Sequence, residues 1–330
     1  MSNRFPGVVA SICVVVLVLC GKPERRSNAA PALRDGPDSS SMLSLSPEED
    51  SLRNTDVVDI VYSTYLSEGN DGKGSSVKVF MIKSNGAGKR ELGRVKRLKA
   101  GPVYLRRRKA FVFTGDTIGQ AINELAHTYL YDVATQKARR LFTEIDGYKL
   151  EKSEDERYLY MSEFGYVYQY DFKKGKLKKL YGANSFNGYR IGSDGKTLLT
   201  TGLPRDGNAM EVIRHDMVTG KKEAVIPGDK SLSKYWFSGD LKVFWGKYSI
   251  FKTGDTTKIF TGRIDDRGSW KKRVINTGGY NIFHTGRLDR NGKYYYAWDG
   301  MFFSRIKVSD CVFRRLFRTD RVIGKFTLAE

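Results

Sequence analysis

Short runs of apolar and β-branched residues, each bounded by a cluster of turn formers, recur along most of this chain. The clearest copy places Thr197-Leu198-Leu199-Thr200-Thr201 directly after the turn Ser193-Asp194-Gly195-Lys196, the pattern of a strand leaving a tight turn. A loop containing Pro204, Gly207 and Asn208 leads to a second strand, Met210-Glu211-Val212-Ile213-Arg214-His215. Val218-Thr219-Gly220 then reverses the chain into an outer strand, Lys221-Lys222-Glu223-Ala224-Val225-Ile226. The same order of turn and strand recurs at 153–160, 238–245 and 289–296, so the chain is built from copies of one unit.

The hairpin that ends each unit aligns six times, on Lys83, Asp132, Asp171, Asp216, Asp265 and Lys307. Each anchor is followed nine residues later by an apolar residue: Leu92, Leu141, Leu180, Val225, Val274 and Leu316. The anchors lie 49, 39, 45, 49 and 42 residues apart, matching the period of about 40 to 50 expected when every repeat is one four-stranded propeller blade. The spacing predicts an all-β, six-bladed β-propeller over residues 55–330. The first repeat begins at Val57-Val58-Asp59-Ile60-Val61-Tyr62 and lacks an innermost strand, whereas Val322-Ile323-Gly324-Lys325-Phe326-Thr327-Leu328 is left over after the last hairpin. That strand is expected to complete the first blade and close the ring, removing an exposed edge. Lys83 and Lys307, the two anchors that are not Asp, fall on the repeats that meet at this seam.

The Ser-Asp-Gly-Lys turn and the hairpins anchored on Asp resemble the serine-proline-aspartate-glycine-lysine turn and the tyrosine-aspartate … threonine-glycine-lysine hairpin of TolB-like propellers, relatives of the WD-repeat propellers. The resemblance covers residues from about 55 to 330. It implies the fold without assigning a functional subfamily. The turns lack the family's proline, and Trp298-Asp299 is a lone Trp-Asp pair.

Ahead of the repeats, Arg4 precedes an uncharged stretch that reaches Cys20 and is densest at Val14-Val15-Val16-Leu17-Val18-Leu19. It is short for a membrane-spanning helix, which needs about 20 apolar residues, and fits a secretory signal over residues 1–20. Leu17-Val18-Leu19-Cys20 resembles the lipobox of bacterial lipoproteins, with Leu19 bulkier than that pattern admits, so Cys20 is a candidate lipidation site. Ala30-Pro31-Ala32 is an alternative cleavage point, and Lys22, Arg25 and Arg26 would favour retention as an uncleaved anchor. Residues 21–54 are rich in Gly, Pro, Ser, Asp and Glu and read as a disordered tether. A periplasmic or secreted monomer, membrane-anchored in the alternative, is expected.

The formal net charge is +20. Residues 1–53 hold six basic and six acidic side chains, so the whole excess sits on the repeats. Such a surface favours an anionic partner such as phospholipid, lipopolysaccharide, cell-wall polymer or nucleic acid, through a field that salt screens; a protein is the other partner expected. Nucleic acid is disfavoured by the export signal. Arg94-Val95-Lys96-Arg97-Leu98-Lys99 reads as an outer strand, where Lys and Arg guard an edge against aggregation. Arg106, Arg107, Arg108 and Lys109 are expected to open the next inner strand and are the first candidates for a polyanion-binding rim.

Catalytic signatures are sparse. His127, His215 and His284 fall in different repeats, and no His-x-x-x-His, Cys-x-x-Cys or Gly-x-Ser-x-Gly spacing occurs. His215 reads as structural, because its siblings in other repeats are Tyr131 and Tyr170. His284, just ahead of a turn motif, is placed near the central channel and is a candidate binding residue. Gly86-Ala87-Gly88-Lys89 lacks phosphate-loop spacing and reads as a hairpin turn. Cys311 is expected to be free and buried. Tyrosines alternating along strands are expected to pack between blades. The chain therefore reads as an exported, non-catalytic binding scaffold with no cofactor or metal. The alternative is a propeller lyase or hydrolase acting on a polysaccharide or peptide.

Overall fold

The computed structural model describes residues 56–65, 76–118, 126–163, 165–182, 188–202, 210–229, 232–248, 258–264, 271–275, 286–319 and 322–330. The expected signal and tether lie outside the described residues. Among the described residues, 24 strands form six four-stranded antiparallel sheets. Blade 2 shows the plan: β4 (Arg97–Leu105) is innermost, then β5 (Ala110–Asp116), β6 (His127–Asp132) and β7 (Lys137–Arg140) outward. Blade 3 repeats it with β8 (Tyr148–Lys152), β9 (Tyr158–Glu163), β10 (Tyr166–Asp171) and β11 (Lys176–Gly182). Blade 4 has β12 (Gly188–Ile191), β13 (Thr197–Gly202), β14 (Met210–Asp216) and β15 (Lys222–Asp229). Blade 5 has β16 (Leu232–Phe237), β17 (Val243–Tyr248), β18 (Lys258–Arg263) and β19 (Lys271–Val274). Blade 6 has β20 (Arg287–Leu288), β21 (Tyr294–Trp298), β22 (Phe302–Lys307) and β23 (Phe313–Arg318).

Blade 1 departs from the plan as the sequence predicts. Its outer three strands are β1 (Asp59–Tyr65), β2 (Val77–Lys83) and β3 (Arg90–Val95), and its innermost strand is β24 (Ile323–Leu328). The register pairs Ile60 with Leu328 and Tyr62 with Phe326, and it shifts at Ser63, whose Oγ accepts the Lys325 N–H at 3.0 Å. The two ends of the propeller thus share one sheet, which closes the ring.

Adjacent residues on a strand face opposite sides of a sheet, so a blade presents one apolar row to each neighbour. Leu198 packs with Tyr160 of blade 3, and Leu199 packs with Phe244 of blade 5. Tyr295 joins Trp245 of blade 5, and Tyr296 joins Tyr62 of blade 1. Among the described residues, the buried apolar side chains form six clusters, each spanning one blade junction. The aromatics supply much of this packing, as expected: Trp245 stacks on Tyr295 at 4.9 Å, and Tyr62 meets Phe303 edge-on at 5.9 Å.

Five of the hairpin anchors, Lys83, Asp132, Asp171, Asp216 and Lys307, are the residues that end the third strand of their blades. Asp132 Oδ1 accepts the N–H and hydroxyl of Thr135, Asp171 accepts the N–H groups of Lys173 and Lys174, and Asp216 those of Val218 and Thr219. At the seam the acceptor moves along the turn: Asn85 serves Ala87, and Asp310 serves Val312 while pairing with Lys307 at 2.9 Å. This shift explains why Lys83 and Lys307 can replace Asp. Asp265 lies outside the described residues.

Candidate functional site

The turns joining the innermost to the second strand share one architecture. Ser153 Oγ donates to Asp155 at 2.6 Å and accepts the Tyr158 N–H at 2.9 Å, and Ser238, Asp240 and Val243 repeat the arrangement at 2.6 and 3.0 Å. The residue three positions after Gly192, Ser153, Ser238 and Asp289 has positive φ in each turn: Gly195 and Gly292, and also Glu156 and Leu241, both at 56°. A side chain there costs backbone strain. At Glu156 the carboxylate offsets it by accepting the N–H groups of Arg106 (2.7 Å) and Arg107 (3.0 Å) of blade 2 and an ammonium bond from Lys152 (3.1 Å).

The basic stretch 106–109 is therefore the turn between β4 and β5, and it does not open an inner strand. The preceding stretch divides likewise: Arg94 and Val95 end β3, while Arg97, Leu98 and Lys99 begin the innermost strand β4. The cause is a bend at Lys96, whose N–H bonds the Asp116 carbonyl and hands the chain to the next blade. Arg106, Arg107, Arg108 and Lys109 are all exposed. Arg106 pairs with Asp59 of blade 1 at 2.7 Å, Arg107 donates to the Asp155 carbonyl at 3.3 Å, and Arg108 lies over the Phe172 ring at 4.8 Å.

Polar contacts on this turn side tie every blade to the next. Beyond the Arg106–Asp59 and Glu156 contacts, Glu151 of blade 3 accepts from Arg190 and the Ile191 N–H of blade 4. The Ser193 N–H reaches the Gly239 carbonyl, the Asp240 N–H reaches the Arg290 carbonyl, and Lys293 and Tyr294 bond Asp56. Arg290 of blade 6 also pairs with Glu154 of blade 3 at 2.7 Å, across the axis of the ring.

Charge is layered by strand position. The six innermost strands carry eight Lys/Arg and one acidic residue, Glu151; the six outermost carry fifteen and three; the twelve between carry eight and seven. The innermost and outermost strands are those with an edge on water, and the middle strands are occupied by blade-to-blade packing.

Around the axis the layering concentrates at Lys149, Arg190 and Arg287, from blades 3, 4 and 6, with Glu151 among them. Glu151 receives Arg190 Nη1 at 3.3 Å, the Tyr189 hydroxyl donates to the Lys149 carbonyl, and Arg287 donates to the Gly286 carbonyl at 3.3 Å. The Lys149 ammonium lies against Gly188, where an added Cβ would stand 3.2 Å from Nζ. Lys149 is held below the ordinary lysine range by burial and by the charge of Arg287, with Glu151 opposing. Arg287 keeps a solvent-reachable surface, yet the surrounding inner strands lower it too, with Arg190 adding and Glu151 opposing. Tyr189 is pushed up by burial and by Glu151. Sequence reading missed Lys149, Arg190 and Arg287, because they are isolated basic positions in different repeats rather than parts of a contiguous basic run.

His215 is buried, meets Thr200 Oγ1 at 2.8 Å through Nε2 and packs on Tyr181 at 4.2 Å, as a structural residue does. His127 Nδ1 lies 2.9 Å from Arg140 Nη2. Glu163, pushed up by burial, accepts the Asp146 N–H. Cys311 is free and half-buried rather than buried, because it sits in the exposed β22–β23 turn. Residues 86–89 form the β2–β3 hairpin turn, with Gly86 and Gly88 at positive φ. His284 and Cys20 lie outside the described residues. Among the described residues no group of three or more His, Cys, Asp or Glu is placed to hold a metal ion.

No family model and no curated protein matches the chain. Among solved structures it is similar to TolB from Acinetobacter baumannii (14% identity, TM-score 0.61), covering 82% of this chain and 66% of that one, so it spans just under two thirds of TolB's length. It is also similar to an oligogalacturonate lyase in complex with manganese (13%, TM-score 0.53, 79% and 74%). A nidogen/laminin complex is a third likeness (9%, TM-score 0.54, 83% and 98%). At such identities the likeness is one of fold alone, the six-bladed β-propeller formed by the six sheets described above.

Proposed function

We propose that this chain is an exported, non-catalytic propeller that engages an anionic envelope component or an acidic protein surface. The observation that carries the reading is the charge layering, with fifteen Lys/Arg against three acidic residues on the outermost strands. Those strands ring the molecule, so their field reaches a partner before any contact forms. The N-terminal apolar stretch supports export, and Cys20 a lipid anchor. Arg106, Arg107, Arg108 and Lys109 extend the basic surface onto the turn side, where each remains exposed. His284, outside the described residues, is retained as a binding candidate on its sequence position alone.

Vesicle sedimentation with and without phosphatidylglycerol tests this. Binding should require the anionic lipid, fall with salt, and weaken when Arg106, Arg107 and Arg108 become Glu or when Lys176 and Lys178 of β11 become Glu. Each cation near an anionic surface contributes about 1 kcal/mol, so the paired lysine reversal should weaken binding by more than about tenfold. Binding indifferent to lipid charge would sink the reading. A second reading, an enzyme acting on a polysaccharide, is favoured by the lyase among the structural neighbours. Depolymerisation of an acidic polysaccharide by the purified protein would establish it.

A further inference from the structure

We propose that the axial channel holds a small, multiply charged oxyanion between Lys149, Arg190 and Arg287. This goes beyond surface binding and does not depend on it. The three cations come from blades 3, 4 and 6, and blades 3 and 6 face each other across the ring. Charge is therefore gathered around the axis from separate directions. The innermost strands supply one carboxylate, Glu151, and its two oxygens are already committed to Arg190 Nη1 and the Ile191 N–H. Arg287 bonds the carbonyl of its own neighbour, Gly286, and Arg190 Nε is buried without a hydrogen-bond partner.

Like charges held in a confined space repel, and the field they focus there raises the local concentration of anions. Two guanidinium groups offer paired N–H donors suited to carboxylate and phosphate oxygens, and an ammonium adds a point charge. The depressed lysine adds support, because an anion beside it would relieve the repulsion from Arg287. The mouth on the turn side is crossed by the Arg290–Glu154 ion pair. The cluster suits a compact anion or the charged end of a chain.

Calorimetric titration of the whole protein with citrate and, separately, inorganic pyrophosphate tests the site. We expect saturable one-to-one binding of at least one probe, weakened about tenfold or more by Arg287→Gln and by Lys149→Gln, and unchanged by Lys176→Gln with Lys178→Gln on β11. Citrate alone would assign a polycarboxylate, and pyrophosphate alone a phosphoryl compound. In the unaltered protein the bound probe should slow amide exchange in 148–152, 188–191 and 286–288, a result that needs no variant to fold. Failure of both probes to saturate, or equal loss in the β11 variant, would overturn the proposal.

Discussion

Arg290 and Glu154, 136 positions apart and on blades that face each other across the ring, meet as an ion pair at 2.7 Å. Both side chains are about half exposed, at 46% and 51%, so water screens the pair and its contribution to stability is within about 1 kcal/mol. Glu154→Gln should therefore leave the melting temperature nearly unchanged. It should speed amide exchange in the turns at 154–157 and 289–293, because what the pair restrains is local.

The closing strand contributes far more. Phe326 is buried and meets Phe303 of blade 6 edge-on at 5.1 Å, and Ile323 is buried in the same cluster. Phe326→Ala should cost about 3–5 kcal/mol, the range for emptying an aromatic site in a packed core, read by denaturant unfolding. Removing everything after Phe317 should lower the melting temperature further, since β1 then loses its inner partner; an unchanged melt would mean that the ring does not need its clasp.

The junction of blades 1 and 2 rests on a missing side chain. A Cβ added at Gly93 of β3 would lie 2.4 Å from the Tyr131 ring of β6. Gly93→Ala should destabilise the protein by about 1–3 kcal/mol, and adding Tyr131→Leu should recover part of that loss. No recovery would place the cost in the backbone of β3.

Titration should reveal two opposing terms. His215 is pushed down to about 4 from 6.5 by burial, with Lys222 adding. Between those values the unfolded chain binds a proton that the folded protein excludes, so the stability of the neutral ring is present above about 6.5 and lost as pH falls toward about 4. Asp289, pushed up to about 6 chiefly by burial, acts in the other direction. Its contribution is present at low pH and is lost as pH rises through that folded-state value. Unfolding midpoints between about pH 4 and 7 should accordingly fall less on acidification in His215→Gln than in the unaltered chain. In Asp289→Asn they should gain relative stability as pH rises.

The blades were legible because a turn needs particular residues at fixed offsets, and Ser153, Asp155, Ser238 and Asp240 supply them. The clasp was legible too, since the first repeat was one strand short. The axial cations were not. Lys149, Arg190 and Arg287 are far apart in the chain, whereas contiguous runs such as 106–109 stand out although Asp59 and Asp155 already engage Arg106 and Arg107. Counting charge by strand position would have exposed them, with eight basic residues against Glu151 on the innermost strands.

The most direct test of the proposed role is the salt dependence of binding to phosphatidylglycerol vesicles, compared with the variant carrying Lys176→Glu and Lys178→Glu. The account predicts affinity that falls steadily as salt rises, with a shallower dependence and weaker binding in the variant. Affinity that is flat with salt, or identical in the two proteins, would contradict it.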